Sequence, residues 1–355
     1  MSAICELCFH HCKLEEGQTS LCRARTCRDG AVIPLNYGKL TSLDLDPIEK
    51  KPLRRFRPGS LILSVGSFGC NLRCPFCQNH EISMAGETDM QTVELSPEQL
   101  TSKAAELRTR GNIGVAYTYN EPLVSYEYVR DCASLVHAQG MVNVLVTNGT
   151  IEETPWRTLL PLIDAANIDL KGFTPAWYRR LGGDLETVKR SIILAAEQCH
   201  VEVTTLLVPG ENDSAEEIRE LAQWLASISP EIPLHLSRFF PRYQMTDRPP
   251  LWSRSTGLLR QHRNICLMST LATAKPLSLE RPQEPDRVDN MLSFGIQIQG
   301  WIHQCNGPAD TVIPIFTPDF IQRPVDIGPA LGFLYLREQR QLHNAVRRGQ
   351  PTGLH

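Results

Sequence analysis

Between residues 61 and 239 the chain alternates short apolar runs with helical patterns, and this rhythm limits the fold more than any other feature. The apolar runs are LILSVG (61–66), IGVAYT (113–118), VNVLVT (142–147), AANIDL (165–170), VEVTTLLV (201–208) and PLHLSRF (233–239). Between them lie PEQLTSKAAELRTRG (97–111), with Ser96 as N-cap and Gly111 as stop, and LVSYEYVRDCASLVHAQG (123–140), closed by Gly140. A helix near 153–163, helical material from about 175 to 198, and SAEEIRELAQWLASI (214–228) complete the series. Nearly continuous apolar strands are buried on both faces, which predicts a parallel sheet covered by helices. Crossovers of one hand curve such a sheet toward a full or partial barrel. The chemistry of a barrel of this kind lies at the C-terminal ends of its strands.

Those ends are polar or rich in Gly and Pro. They read GCNLRCPFCQNH (69–80), YNEP (119–122), TNG (147–149), DLKG (169–172), VPGEND (208–213) and HLSRFFPRY (235–243). Taken singly, each loop is an ordinary βα turn. Together they face one mouth that also carries three thiols. Cys70, Cys74 and Cys77 stand in C-x3-C-x2-C spacing. Four thiolates close a tetrahedral zinc or complete an iron–sulfur cluster. Three leave one position open, which is what catalysis at a metal needs. The spacing by itself also fits buried structural cysteines, or three of four zinc ligands with His80 as the nearby fourth.

The 355 residues suffice for one large domain or two medium ones. The net charge of -3, from 36 Lys+Arg against 39 Asp+Glu, excludes the basic face of a general nucleic-acid binder. MSAICELCFHH lacks a basic-then-apolar signal pattern, and no apolar run approaches the roughly 18 residues of a membrane helix. A soluble cytoplasmic protein is expected. Twelve cysteines are many for that compartment, and eight of them fall before residue 80. In a reducing cytosol such clustering favours metal ligation over disulfides. CELCFHHCKLEEGQTSLC places Cys5, Cys8, Cys12 and Cys22 as a tetrathiolate set, with Cys27, His10 or His11 as substitutes for one ligand. Four ligands close a site, so this one is structural or electron-relaying; zinc and an auxiliary iron–sulfur cluster are both open. The segment is poor in apolar residues, so metal binding would supply much of its folding energy. Cys132 and Cys199 fall in helical patterns and are expected in the core.

The C-x3-C-x2-C turn directly after the first strand, with the aromatic Phe76 before the last cysteine, resembles the radical S-adenosylmethionine (SAM) enzymes over about residues 55 to 250. The resemblance implies a partial (β/α)6 TIM-type barrel in an α/β chain. It implies a [4Fe–4S] cluster on Cys70, Cys74 and Cys77, with SAM bound to the fourth iron. Reductive cleavage of SAM then gives methionine and a 5′-deoxyadenosyl radical, which takes hydrogen from a substrate. By position, Glu121 with Asn120 stands where these enzymes carry a Gly-Gly-Glu segment that receives the SAM ammonium, although Tyr119 and Asn120 replace the glycines. Asn148 stands where ribose contacts are common. Asp169 and Lys171 lie in a segment that reaches SAM or a substrate peptide in glycyl-radical activating enzymes, or else form a structural ion pair. His235, sharing a strand face with Ser237, is either SAM-proximal or a satisfied core histidine. DPIEKKPL, GCNLRCPFCQN, YTYNEP, DLKGF, FFPRY and DRPP together resemble the radical SAM member of the AmmeMemoRadiSam system, a group also similar to pyruvate formate-lyase activating enzymes. The implied partners are an AMMECR1-like protein, a Memo-like protein and an electron donor such as flavodoxin or ferredoxin. The alternatives are activation of a glycyl-radical enzyme and, in another class, a non-catalytic iron–sulfur or zinc scaffold.

Three regions are therefore expected: a Cys-rich metal-binding segment and linker (1–55), a radical SAM core (56–250), and an irregular tail (251–355). In the tail the β/α rhythm is lost. If MSTLATAK (268–275) is read from the final G of the Met268 codon, the shifted codons accommodate VYTGNC and a stop, which resembles the way relatives end. The expectation is a frameshift near codon 250, with a poorly ordered out-of-frame tail; a lineage-specific extension is the alternative.

Overall fold

The computed structural model describes residues 1–249 and 264–268. The expected tail disorder and the frameshift concern residues that lie, apart from 264–268, outside the described ones.

The N-terminal segment builds small antiparallel pairs. Strands β1 (Ser2–Ile4) and β2 (Lys13–Glu15) pair with each other, as do β3 (Arg25–Arg28) and β4 (Ala31–Pro34). The strand β5 (Lys39–Leu40) pairs with β8 (Val93–Glu94). The main sheet begins with β6 (Ser42–Pro47), antiparallel to β7 (Leu61–Gly66). The strands β9 (Asn112–Tyr117), β10 (Val142–Thr147), β11 (Ala165–Asp169), β12 (His200–Leu207) and β13 (Pro233–Arg238) then follow β7 in parallel register. The last strand, β14 (Asn264–Met268), runs antiparallel to β13 and caps the other edge. Six parallel strands flanked by one antiparallel strand on each side form the α/β core that the sequence rhythm predicts.

Helices α1 (His80–Ser83), α2 (Pro97–Glu106), α3 (Tyr126–Ala138), α4 (Glu153–Leu159), α5 (Pro175–Arg180), α6 (Leu185–Ala196) and α7 (Ala215–Ile228) complete the element order. Ser96 starts α2 through a full capping box with Gln99, and Gly111 ends the following 3-10 turn at φ 90°. The helical material expected from about 175 to 198 forms two helices. Gly182, at φ 70°, and Gly183 break it, and Asp184 caps α6 by accepting from Thr187 N. Apolar faces of α2, α3, α6 and α7 pack onto the strands in one core that includes Val115, Val129, Leu145, Ile168, Val188, Val203 and Leu221. Cys132 is fully buried in it, as expected, and Cys199 packs at its margin.

The segment DPIEKKPLRRFRPGS reads from sequence as an extended or looped link, and it packs against the main sheet. After β6, Ile48, Leu53 and Phe56 pack against Ile62, Ala116, Val142, Val144 and Ala165. Pro52 O accepts from Asn167 Nδ2 at 3.0 Å, and the backbone N–H groups of Arg54 and Arg55 donate to Glu202. One segment thus packs along β7, β9, β10, β11 and β12. Among the described residues, no helix is long and apolar enough to cross a membrane.

Candidate functional site

The cysteine turn leaves the C-terminal end of β7 and is fixed by backbone hydrogen bonds to four other parts of the chain. Gly69 N donates to Ile82 O (2.9 Å), Cys70 N to Cys22 O (3.2 Å) and Arg73 N to Leu181 O (2.7 Å), while Pro75 O accepts from Gln244 N (2.9 Å). Gly69 sits at φ 88°, and a Cβ there would lie 2.6 Å from Cys22 O. Only glycine fits this close approach. Cys74 and Phe76 pack with Leu72, Trp177, Leu181, Val208, Phe239 and Met245, and Cys70 and Cys77 lie against that cluster. The Phe76 ring stacks on Trp177 at 5.9 Å between centroids.

The three thiols lie close enough to influence one another. Burial pushes Cys70 well above the usual thiol range, with Glu121, Cys74 and Cys77 adding to it. Burial pushes Cys74 up to about 11, tempered by the neighbouring Lys171 ammonium. Uncomplexed Cys70 and Cys74 are therefore protonated, and a metal must displace their protons to bind them. Lys171 Nζ donates to Asp169 Oδ2 at 2.6 Å. Burial works against its charge, but Asp169 and Cys74 hold it above the usual lysine range. Trp177 Nε1 and Asn212 Nδ2 both donate to Lys171 O at 2.8 Å, and Lys171 N donates to the Tyr178 hydroxyl. A partly buried ammonium beside Cys74 and Cys77 suits an anionic thiolate site.

Glu121 is buried and caps a 3-10 turn. Its Oε1 accepts from Leu123 N (3.0 Å) and Thr147 Oγ1 (2.7 Å), and Oε2 accepts from Asn148 N (2.7 Å). Three of about four acceptor positions are used, which leaves one on Oε2. Burial pushes the carboxyl up to about 7, against the lowering effect of these donors. Asn120, expected beside it at the cofactor, stitches the strand end instead. It accepts from Ser67 N and donates to Phe68 O and Gly69 O. The Asn148 side chain donates to Asn71 Oδ1 (2.9 Å), lies 3.7 Å from Cys70 Sγ and accepts from Thr150 N. Its amide is thus engaged around the cysteine turn. His235 is buried with Nε2 on Glu202 Oε2 at 2.5 Å. Among the sequence readings of His235, this geometry is that of a satisfied core histidine. His80, the candidate fourth ligand of the scaffold reading, stacks on Tyr243 at 4.6 Å.

Cys5, Cys8, Cys12 and Cys22 line one buried cavity together with His10, Arg25 and Asn71. Their sulfurs do not converge on a single ion as expected. Among the described residues, no three His, Cys, Asp or Glu side chains are grouped closely enough to hold one metal ion. Burial raises the Cys8 and Cys22 thiols above the usual range and keeps them protonated, so no charge draws those two toward a shared ion. Sequence reasoning missed Asn71 and Arg25. Asn71 stands inside the cysteine turn, where its neighbours draw the eye, and Arg25 lies in a short strand with no apolar pattern.

A family model described as the Radical SAM superfamily matches residues 64–225. An uncharacterized protein of Methanocaldococcus jannaschii is 39% identical over 249 residues, which cover 69% of this chain and 73% of that one. The pyruvate formate-lyase-activating enzyme of Clostridium pasteurianum is 30% identical over 167 residues, covering 45% of this chain and 67% of that protein. Among solved structures, TYW1 with a lysine-pyruvate adduct bound matches 53% of this chain and 68% of its own, at 18% identity and a TM-score of 0.38.

Proposed function

This chain belongs to the radical SAM superfamily, and from that premise we propose that it cleaves SAM reductively at a [4Fe–4S] cluster on Cys70, Cys74 and Cys77. The observation that carries the reading is the three-thiol turn at the strand ends, buried between Glu121 on one side and the Asp169–Lys171 pair on the other. When bound, the cluster and SAM supply a one-electron cleavage that yields methionine and a radical able to take hydrogen from a substrate. The chain's own residues do the rest. Lys171 offsets thiolate charge. Leu72 N donates to Cys70 Sγ at 3.4 Å, the kind of N–H···S contact that tunes a cluster's potential. Phe76, Trp177 and Phe239 keep water away from the thiol side.

The similarity to an activating enzyme favours a second reading, in which the hydrogen is taken from a glycine of a partner protein. The two share the first step. Anaerobically reconstituted protein, given SAM and dithionite, should release 5′-deoxyadenosine and methionine in equal amounts. Reconstituted protein that leaves SAM intact overturns both.

Glu121 supplies a further expectation. Its free acceptor position suits the amino end of SAM only when the carboxylate is ionised. With the carboxyl near 7, ionisation rises as pH rises through neutrality, so SAM affinity should strengthen on the order of tenfold from about pH 6 to about pH 8. In Glu121→Gln that dependence should vanish while the iron content stays unchanged. Parallel wild-type and variant profiles, measured by equilibrium binding, would reassign Glu121 to holding its loops.

A further inference from the structure

We propose that Asn148 tunes the cluster at the cysteine turn by donating an amide N–H to Cys70 Sγ, and that Asn71 is the positioning residue that aims this amide. Both roles rest on the cluster reading above.

The orientation of both amides follows from the backbone of one residue. Thr150 N can only donate, so the atom of Asn148 that meets it at 2.8 Å is Oδ1. The Nδ2 of Asn148 then points the other way, toward Asn71 Oδ1 at 2.9 Å and Cys70 Sγ at 3.7 Å. Thr150 O can only accept, so Asn71 Nδ2 faces it at 2.8 Å and Asn71 Oδ1 is left facing Asn148. These three bonds close a ring. Flipping either amide would set donor against donor and acceptor against acceptor. Of the two N–H bonds on Asn148 Nδ2, Asn71 takes one and the sulfur takes the other.

The ring is buried and braced. Asn71, Asn148 and Thr150 are 6%, 5% and 1% exposed. Asn148 N donates to Glu121 Oε2 at 2.7 Å, so its backbone is held apart from its side chain's task. Asn71 O accepts from His10 Nε2 at 2.9 Å, and Cys70 N donates to Cys22 O at 3.2 Å. Just beyond Thr150, Glu152 N donates to Leu7 O at 2.9 Å. The N-terminal segment thus grips the ring from the cysteine turn and from the loop after β10.

Cys70 Sγ thereby has two donors, Leu72 N at 3.4 Å from its own turn and the Asn148 amide from the neighbouring loop. An N–H aimed at a ligand sulfur stabilises the more negative, reduced state of a cluster more than the oxidised state, and so raises its potential. Groups that orient a ligand from outside the coordination shell tune a metal in this way.

The potential of the full chain, reconstituted anaerobically and titrated by electron paramagnetic resonance without SAM, tests both roles. Asn148→Leu has a similar volume and keeps the backbone N–H to Glu121, but it has no amide. It should shift the reduction equilibrium about tenfold toward the oxidised cluster, which is about 59 mV for one electron. Asn71→Ala leaves the Asn148 amide present but unaimed, and should shift the equilibrium the same way by a smaller factor. With isotopically labelled asparagine amides, pulsed spectra of the reduced unmodified chain should show a nitrogen coupling that is absent in Asn148→Leu and weaker in Asn71→Ala. No coupling in the unmodified chain overturns the sulfur contact, whether or not the variants take up iron. An unmoved potential in Asn148→Leu overturns it too, and a weakened SAM affinity at that unmoved potential would make Asn148 a contact of the nucleoside. An unmodified chain that assembles no iron on the turn overturns the cluster reading and these roles with it. Iron in place with equal potentials in all three proteins overturns these roles alone.

Discussion

Replacing Cys74 with alanine should reduce 5′-deoxyadenosine formation to the level seen without protein. The thiol is 7% exposed and packed among Leu72, Phe76, Trp177 and Phe239. Alanine removes only the sulfur, and the cavity left by one small atom costs on the order of 1 kcal/mol, too little to unfold the barrel. What is lost is one of three ligands to a site that has none to spare. Cys132→Ala is the matched control. That thiol is 0% exposed on α3, surrounded by core residues rather than by other thiols. It should lose about the same stability and keep full SAM cleavage. Chromatography of the quenched reaction reads both variants directly. Product from Cys74→Ala at the unmodified rate would end the assignment of the cluster to this turn, and equal loss in the two variants would point to packing rather than ligation.

The contrast between these two cysteines also shows what was legible in the sequence. The three-residue and two-residue spacings of Cys70, Cys74 and Cys77 state a ligand set because thiols that close in sequence must lie close in space. The six parallel strands were legible because burial on both faces demands nearly unbroken apolar runs. The N-terminal pairs were not. Their strands are two to four residues long, such as Lys13–Glu15 with one buried residue, and too short to show a period. The contact between Cys22 and Cys70 joins residues far apart in the chain and leaves only Gly69 as a trace. Asn120 and Asn148 sit at the positions the family pattern indicates, yet the Asn120 amide is committed to loop backbone and the Asn148 amide to Asn71 and Thr150. A position in a motif fixes where a residue lies, whereas its hydrogen-bond partners decide what it does there. The packing of the segment after β6 was not legible for a related reason. Proline and charge usually mark solvent-exposed links, but here they are answered by buried partners. Lys51, 1% exposed, donates to Asp46 Oδ2 at 2.8 Å, and Tyr119 donates to the same oxygen at 2.6 Å.

Glu202 anchors that segment, and Glu202→Ala should destabilise the protein by about 3–5 kcal/mol, since it strands several buried donors at about 1–3 kcal/mol each. Its side chain is fully buried. Oε1 accepts from Arg54 N at 2.9 Å, Arg55 N at 2.7 Å and His200 Nε2 at 2.9 Å, and Oε2 accepts from His235 Nε2 at 2.5 Å. Alanine leaves two backbone donors and two imidazoles without an acceptor and frees the segment that packs across the sheet. A fall in thermal midpoint on the order of 10 °C follows for a domain of this size. The same carboxylate gives a pH signature. Burial would raise its pKa, but the two histidines and two backbone donors outweigh it and hold the carboxyl at about 2, below the ordinary 4.5. A group depressed on folding contributes stability above its ordinary pKa and loses it as pH falls through the folded value. The window is therefore from about pH 4.5 down to about pH 2, and the contribution is on the order of 3 kcal/mol. Glu202→Gln keeps the shape and cannot ionise, so its stability profile should be flatter across that window than that of the unmodified chain. Calorimetry of both proteins across the acid range measures the difference. Superimposable profiles would mean that the segment after β6 is held by Ile48, Leu53 and their apolar neighbours and that the carboxylate adds nothing.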